Sequence, residues 1–397
     1  MTSMNAERQE LVQARERIER LPKSKIRAIS NASLGLEGLI PLWFGESDLP
    51  TPEFIKQAGA DALMQGYTFY THNRGIPELR TTLAEYASGL HARPVHEDRI
   101  TVTASGCVAI NLIQQVLTDP GSNTVIVGPL WPNLIETIHI MGGETRIVPL
   151  TFGEQAWTLD LNRLFDQVDD KTTAILINSP GNPTGWVMDR DGQQAVLDFC
   201  RQRGLWFISD EVYNRLVYDR PVAPSLLDLA EPDDKVLVIN SFSKTWAMSG
   251  WRLGWVTSPP RLGEVFEKVI EFHYSCPAHF TQRAGVTAVM EGEPFVRDMV
   301  RRYRAARDLS VERLRAMPRV RVHSPSGSFY LFFAVDGMTD SVAECRRFVS
   351  EARVGLAPGA AFGEAGEGFI RLCFANTLET LHEAFERISP LLREESI

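Results

Sequence analysis

The stretch Ser241-Phe-Ser-Lys-Thr-Trp-Ala-Met-Ser-Gly-Trp-Arg-Leu-Gly-Trp255 follows directly on the apolar run Val236 to Asn240, and Lys244 is its one lysine. A lysine condenses with an aldehyde only as the free amine, so such a residue must be kept from persisting as a solvated ammonium with a pKa near ~10.4. Ser241 and Ser243 supply hydroxyls, and Arg252 supplies a planar fork that matches phosphate. Together they read as a place for a phosphate-bearing aldehyde. Taken alone, the segment reads more simply as a surface lysine and a surface arginine.

Two upstream segments change that balance. Leu205-Trp-Phe-Ile-Ser-Asp-Glu-Val-Tyr213 is a buried-type strand ending on Asp210, with Tyr213 three positions later. An aspartate at the carboxyl end of a parallel strand can point into a ligand crevice. There it can hold a protonated pyridine nitrogen while Tyr213 donates to a ring oxygen; a simple end cap is the bland alternative. Ile177-Asn-Ser-Pro-Gly-Asn-Pro-Thr-Gly185 favours turns at nearly every position and again follows an apolar run.

Seven short apolar runs alternate with helical patterns between about Arg99 and Pro260: Ile100 to Thr103, Thr124 to Val127, Thr145 to Val148, Ala174 to Asn178, Leu205 to Ser209, Val236 to Asn240 and Leu253 to Val256. This is the pattern of stacked βαβ units around a mainly parallel sheet. From Glu293 to Met317 the pattern predicts a long helix with Phe295, Met299, Tyr303 and Leu314 on its apolar face. Its arginines are matched by Glu293, Asp298, Asp308 and Glu312, so a solvated face is expected rather than a nucleic-acid patch. Strands are expected at Val320 to His323, Ser328 to Phe333 and Gly368 to Phe374, and helices over Ser341 to Ala352 and from Leu378. The fold class is therefore α/β, a large domain over residues 53–295 with a smaller α+β domain built from residues 1–52 and 296–397.

The Asn-Pro-Thr-Gly turn, the Asp210/Tyr213 pair and the Ser-x-x-Lys…Arg segment, in this order and at these distances, resemble the class I and II aminotransferases of the aspartate aminotransferase fold. The resemblance runs from Phe44-Gly-Glu-Ser-Asp-Leu-Pro-Thr-Pro52 to Phe369-Ile-Arg-Leu372. It implies a fold type I enzyme dependent on pyridoxal 5'-phosphate, moving amino groups between amino acids and 2-oxo acids by a ping-pong mechanism. In that family pattern Lys244 is the Schiff-base lysine and the acid and base, and Asp210 pairs with the ring nitrogen. Tyr213 and Asn182 contact the ring oxygen. Ser105, Gly106, Cys107, Ser241 and Arg252 bind phosphate, and Trp131 stacks on the ring. Arg371 grips the substrate carboxylate with help from Gly45 and Asn182. Tyr70 reaches the phosphate of a neighbouring subunit, which implies a homodimer with shared sites. One departure stands out: Cys107 occupies a position where many bacterial relatives carry a lysine that reads a distal carboxylate. A dicarboxylic substrate is then in question unless Arg74 or Arg283 substitutes.

Composition agrees with a soluble enzyme. With 44% hydrophobic and 23% charged residues the chain falls among ordinary globular proteins. A net charge of −9 argues against nucleic acid or an anionic membrane as partner. Five widely spaced cysteines match no metal or disulfide spacing, no apolar run is long enough to span a membrane, and the charged stretch from Met1 to Arg20 is no secretory signal, so a cytoplasmic location is expected. No metal cluster and no nucleotide-binding glycine motif is present. A carbon–sulfur β-lyase on the same fold is the alternative within this cofactor's chemistry, and a non-catalytic effector domain is the alternative outside it.

Overall fold

The computed structural model describes residues 14–393; the ends of the range expected for the smaller domain, 1–13 and 394–397, lie outside it. A seven-stranded sheet has the order Ile100–Thr103, Gly254–Thr257, Val236–Ser241, Trp206–Asp210, Thr172–Asn178, Asn123–Gly128 and Glu144–Pro149. All seven correspond to the apolar runs read from the sequence, with ends differing by a residue or two. Ile100–Thr103, Asn123–Gly128, Val236–Ser241 and Gly254–Thr257 are buried at every position, and none carries a charged residue. Gly254–Thr257 alone runs antiparallel to its neighbours.

A second sheet orders Val320–Arg321, Tyr330–Val335, Phe369–Cys373 and Ala357–Pro358, all antiparallel. The helix Glu293–Arg315 buries Val296, Met299, Tyr303 and Leu314, so Val296 takes the place expected for the half-buried Phe295. Its arginines are drawn into ion pairs: Arg297 with Glu293, Arg301 with Asp298, Arg302 with Asp48 and Arg313 with Glu386.

Several expected elements are shorter: the strands expected over Val320 to His323 and Gly368 to Phe374 span only Val320–Arg321 and Phe369–Cys373. The strand expected from Ser328 begins at Tyr330, because Ser328 has φ 57°, a left-handed conformation that a strand cannot contain. The helix expected through Ala352 is α-helical only over Ser341–Arg347 and widens to a π turn over Phe348–Ala352. No helix among the described residues is long and apolar enough to cross a membrane.

Candidate active site

Strands running in a common direction present their carboxyl ends along one edge of a sheet, and the ligand crevice of such folds lies there. Thr103, Gly128, Asn178, Asp210 and Ser241 are strand ends of this kind, and the segments read from the sequence follow them. The antiparallel strand adds to the same edge: Gly254 stands opposite both Thr103 and Ser241, so Arg252, just before it, arrives beside them. Gly254 must lack a side chain, since a Cβ there would lie 2.7 Å from the Gly106 nitrogen.

Lys244 lies in the short helix Phe242–Thr245, which Ser241 caps by accepting from the Ser243 N–H. Its Nζ donates to the carbonyl of Gly45 and lies 5.9 Å from the centre of the Tyr213 ring and 5.6 Å from that of Phe329. Burial pushes its pKa down, opposed by the nearby Cys373 and Glu46. The amine is thus biased toward the neutral form that nucleophilic chemistry needs.

Asp210 ends its strand fully buried and accepts from the Val212 N–H at 3.3 Å. Burial raises its pKa to about 7, with Glu211 adding to the rise and the Val212 N–H and Lys244 opposing it. A cation placed against it would restore the carboxylate. The Tyr213 hydroxyl lies 2.7 Å from that of Tyr330, and burial holds its pKa well above the usual value.

Arg371 enters from the second sheet and is buried. Its Nη1 donates to Asn182 Oδ1 at 2.8 Å, its Nη2 donates to the Trp43 carbonyl, and its Nε is buried with no partner. The guanidinium lies 4.4 Å from the ring centre of Tyr330 and 4.7 Å from that of Phe362. Asn182 is itself fixed by its own N–H, which donates to Asn178 Oδ1 at 2.8 Å.

Ser105 caps the helix Gly106–Leu117, its hydroxyl accepting from the Val108 N–H at 3.2 Å. The first turn of a helix leaves N–H groups unpaired and carries a partial positive charge, which together suit an anion. Arg252 lies against the Cys107 thiol; burial raises the thiol's pKa and the guanidinium opposes that rise. Ser105 at φ 122° and Arg252 at φ 53° are both non-glycine residues at positive φ, a strained pairing of the kind found at functional sites. Ser241 and Ser243 hydroxyls are 3.0 Å apart. Next to Ser243 and Arg252 a cavity of 670 Å³ opens, walled by Glu46, Thr51, Ala104, Trp251, Ala278 and Phe280 among others.

The model of the family Aminotransferase class I and II matches residues 37–388. The chain belongs to that family. This aminotransferase is 33% identical over 383 residues to the aspartate aminotransferase of Pyrococcus horikoshii, a match spanning 96% of this chain and 97% of the relative. It is 34% identical over 390 residues to the aromatic-amino-acid aminotransferase 2 of Thermococcus litoralis, spanning 96% and 99%. The crystal structure of the aspartate aminotransferase of Thermotoga maritima matches with a TM-score of 0.89 at 34% identity, over 96% of this chain and 100% of that one. The relatives agree on the reaction and differ in the side chains named.

Within the aminotransferase the other residues read from sequence are placed as follows. Trp131 is half-buried against the apolar layer beneath the sheet edge. Tyr70 is not brought to the cluster around Lys244: it is 89% exposed, in a groove with Cys276 to Phe280. Arg74 is buried, donating to Thr101 Oγ1 and to the carbonyls of Ile100 and Asp98. Arg283 is paired with Glu78. Each of these arginines is bonded within the chain. The residue missed by sequence reading is Tyr330, which touches Tyr213 and Arg371 at once. It carries no motif; only its place in the apolar run before the Arg371 strand hints at it.

Proposed function

We propose that this aminotransferase holds pyridoxal 5'-phosphate covalently at Lys244 and moves the amino group of an L-amino acid with an uncharged side chain to a 2-oxo acid. The observation that carries the reading is the convergence of a half-buried lysine, a buried strand-end carboxyl and a buried arginine fork with one nitrogen unpartnered. The donor set fits the cofactor. Asp210 lacks a cation and Arg371 lacks an anion, while Ser105, Gly106, Cys107, Ser241 and Arg252 supply hydroxyls, helix N–H groups and a guanidinium for a phosphate. Trp131 provides a face for the ring, with Asn182 and Tyr213 as partners of its oxygen.

The bound cofactor would supply an electron-withdrawing ring that stabilises charge developing at the substrate Cα. Asp210 keeps a ring nitrogen cationic by remaining ionised against it. Arg371, with the Gly45 backbone and Asn182, orients the substrate carboxylate and so presents the Cα–H bond to Lys244. Lys244 Nζ, low in proton affinity through burial, takes up that proton and gives it back, a positioned acid–base step worth ~10²–10⁴-fold. Since Cys107 carries no permanent charge and Arg74 and Arg283 are engaged, an uncharged substrate side chain is favoured.

In this reading residues 53–295 form the cofactor-binding domain and residues 1–52 with 296–397 the smaller one. Tyr70, with the exposed Phe69 beside it, supports a homodimer in which each copy completes its neighbour's phosphate site. Five free cysteines suit a reducing cytoplasm. The test is the half-reaction. Single amino acids without an oxo acid should leave the cofactor in its amine form, where a β-lyase would release pyruvate and ammonia; a strong preference for aspartate would overturn the side-chain assignment. Lys244→Ala should abolish turnover and the yellow colour together, and an active Lys244→Ala variant would overturn the whole scheme.

A further inference from the structure

We propose that Tyr330 is a positioning residue that fixes the direction in which the Tyr213 hydroxyl donates. The inference rests on the proposed role of Tyr213 toward the cofactor ring oxygen. Tyr330 is fully buried on the strand Tyr330–Val335, and its hydroxyl lies 2.7 Å from that of Tyr213. A phenol has one proton to give and lone pairs to receive with. If Tyr213 gives its proton to the ring oxygen, it has none for Tyr330, so the bond between the two hydroxyls must carry the Tyr330 proton. Tyr330 as donor thereby holds Tyr213 in the donating orientation and, through the chained bonds, strengthens its donation.

The surroundings support that assignment. The Arg371 guanidinium stands 4.4 Å from the Tyr330 ring centre and opposes the rise that burial imposes on its pKa, which makes the hydroxyl a better donor. Cys373 also faces Tyr330, and Asp210, Arg371 and Lys244 face Tyr213. Gly45 packs its bare Cα against the Tyr330 hydroxyl, where a Cβ would lie 1.8 Å away. The hydroxyl is thus confined by Gly45 as well as by Tyr213.

A donor at the ring oxygen stabilises the deprotonated form of the lysine-held chromophore, so losing it makes the yellow protonated form persist to higher pH. The experiment is a pH titration of the visible band of holoenzyme for wild type, Tyr213→Phe, Tyr330→Phe and the double variant, with circular dichroism confirming the fold. Tyr330→Phe should move the midpoint up by roughly half to one pH unit. It should leave KM within about threefold, since the ring beneath Arg371 is kept. In the double variant it should add nothing to the Tyr213→Phe shift. A Tyr330→Phe midpoint equal to wild type while Tyr213→Phe shifts, or shifts that add in the double variant, would overturn the role of Tyr330 alone. Absence of a visible band in wild type, or an unmoved Tyr213→Phe midpoint, would instead overturn the cofactor reading beneath it.

Discussion

Replacing Gly45 by alanine adds one methyl group where the structure has no room for it. The new Cβ would lie 1.8 Å from the Tyr330 hydroxyl oxygen and 2.9 Å from the ring carbon bearing it, against 3.4 Å or more for an ordinary contact. Something must therefore retreat by about 1.6 Å. Tyr330 is held by Phe329 at 4.8 Å, by Tyr213 at 5.7 Å and by Arg371 at 4.4 Å, so the segment carrying Gly45 is the part that yields. Its carbonyl, the acceptor for Lys244, and the neighbouring Trp43 carbonyl, the acceptor for Arg371, move with it. Overpacking of this kind costs about 1–3 kcal/mol, and a displacement near ~1 Å at a reacting group costs about 10²-fold in rate. We expect Gly45→Ala to fold, to melt a few degrees lower and to lose about 100-fold in kcat/KM. Adding Tyr330→Phe removes the worst contact and leaves the one at 2.9 Å, so the double variant should recover part of the lost stability. Thermal melts and a double-mutant cycle measure both quantities. Wild-type melting and kcat/KM within threefold for Gly45→Ala would refute the packing argument.

Arg371→Lys keeps a charge and loses the fork, so kcat/KM in the half-reaction should fall by about 10²–10³, the worth of one charge-assisted bond and part of another; an unchanged value would show that the carboxylate is bound elsewhere. Ser328 combines φ 57° with a fully buried hydroxyl that has no partner, so Ser328→Gly should raise the denaturation midpoint by an amount equivalent to about 1 kcal/mol, and a lowered midpoint would contradict that reading. The raised pKa of Asp210 makes a signed prediction for cofactor-free protein: folding favours the protonated acid, so its contribution is complete below the ordinary aspartate value of 3.8 and is lost as pH rises through about 7. Asp210→Asn should flatten the decline in melting temperature as pH rises from 3.8 to about 7, and an identical slope in the variant would exclude Asp210 as its source.

The large sheet was legible because most of its strands are buried on both faces and read as apolar runs, closed by turn signals. Where reading failed, a backbone fact was hidden from the side-chain pattern. Ser328 looks like any strand residue, yet its positive φ delays the strand to Tyr330. The continuous pattern from Ser341 to Ala352 gives no sign of the change to a π turn after Arg347.

The site divides the same way. Lys244, Asp210, Tyr213, Asn182 and Arg371, which the structure brings close together, stood out in the sequence because they fall in the segments that carry the family resemblance. Their carbonyl partners did not, although Gly45 itself was expected beside Arg371. Lys244 and Arg371 are held by the carbonyls of Gly45 and Trp43, and Cys373 donates its N–H to the carbonyl of Leu42 next in line. A carbonyl is common to every residue and leaves no mark in a sequence. Tyr330 meets Arg371 because Phe332 pairs with Arg371 in the second sheet, a register fixed between strands almost forty residues apart. Among the described residues the segment from Leu42 to Gly45 is thus bonded to both the Lys244 amine and the Arg371 fork. Displacing it shifts two proposed roles at once, which is why one methyl group at Gly45 is expected to cost more than its volume alone would suggest.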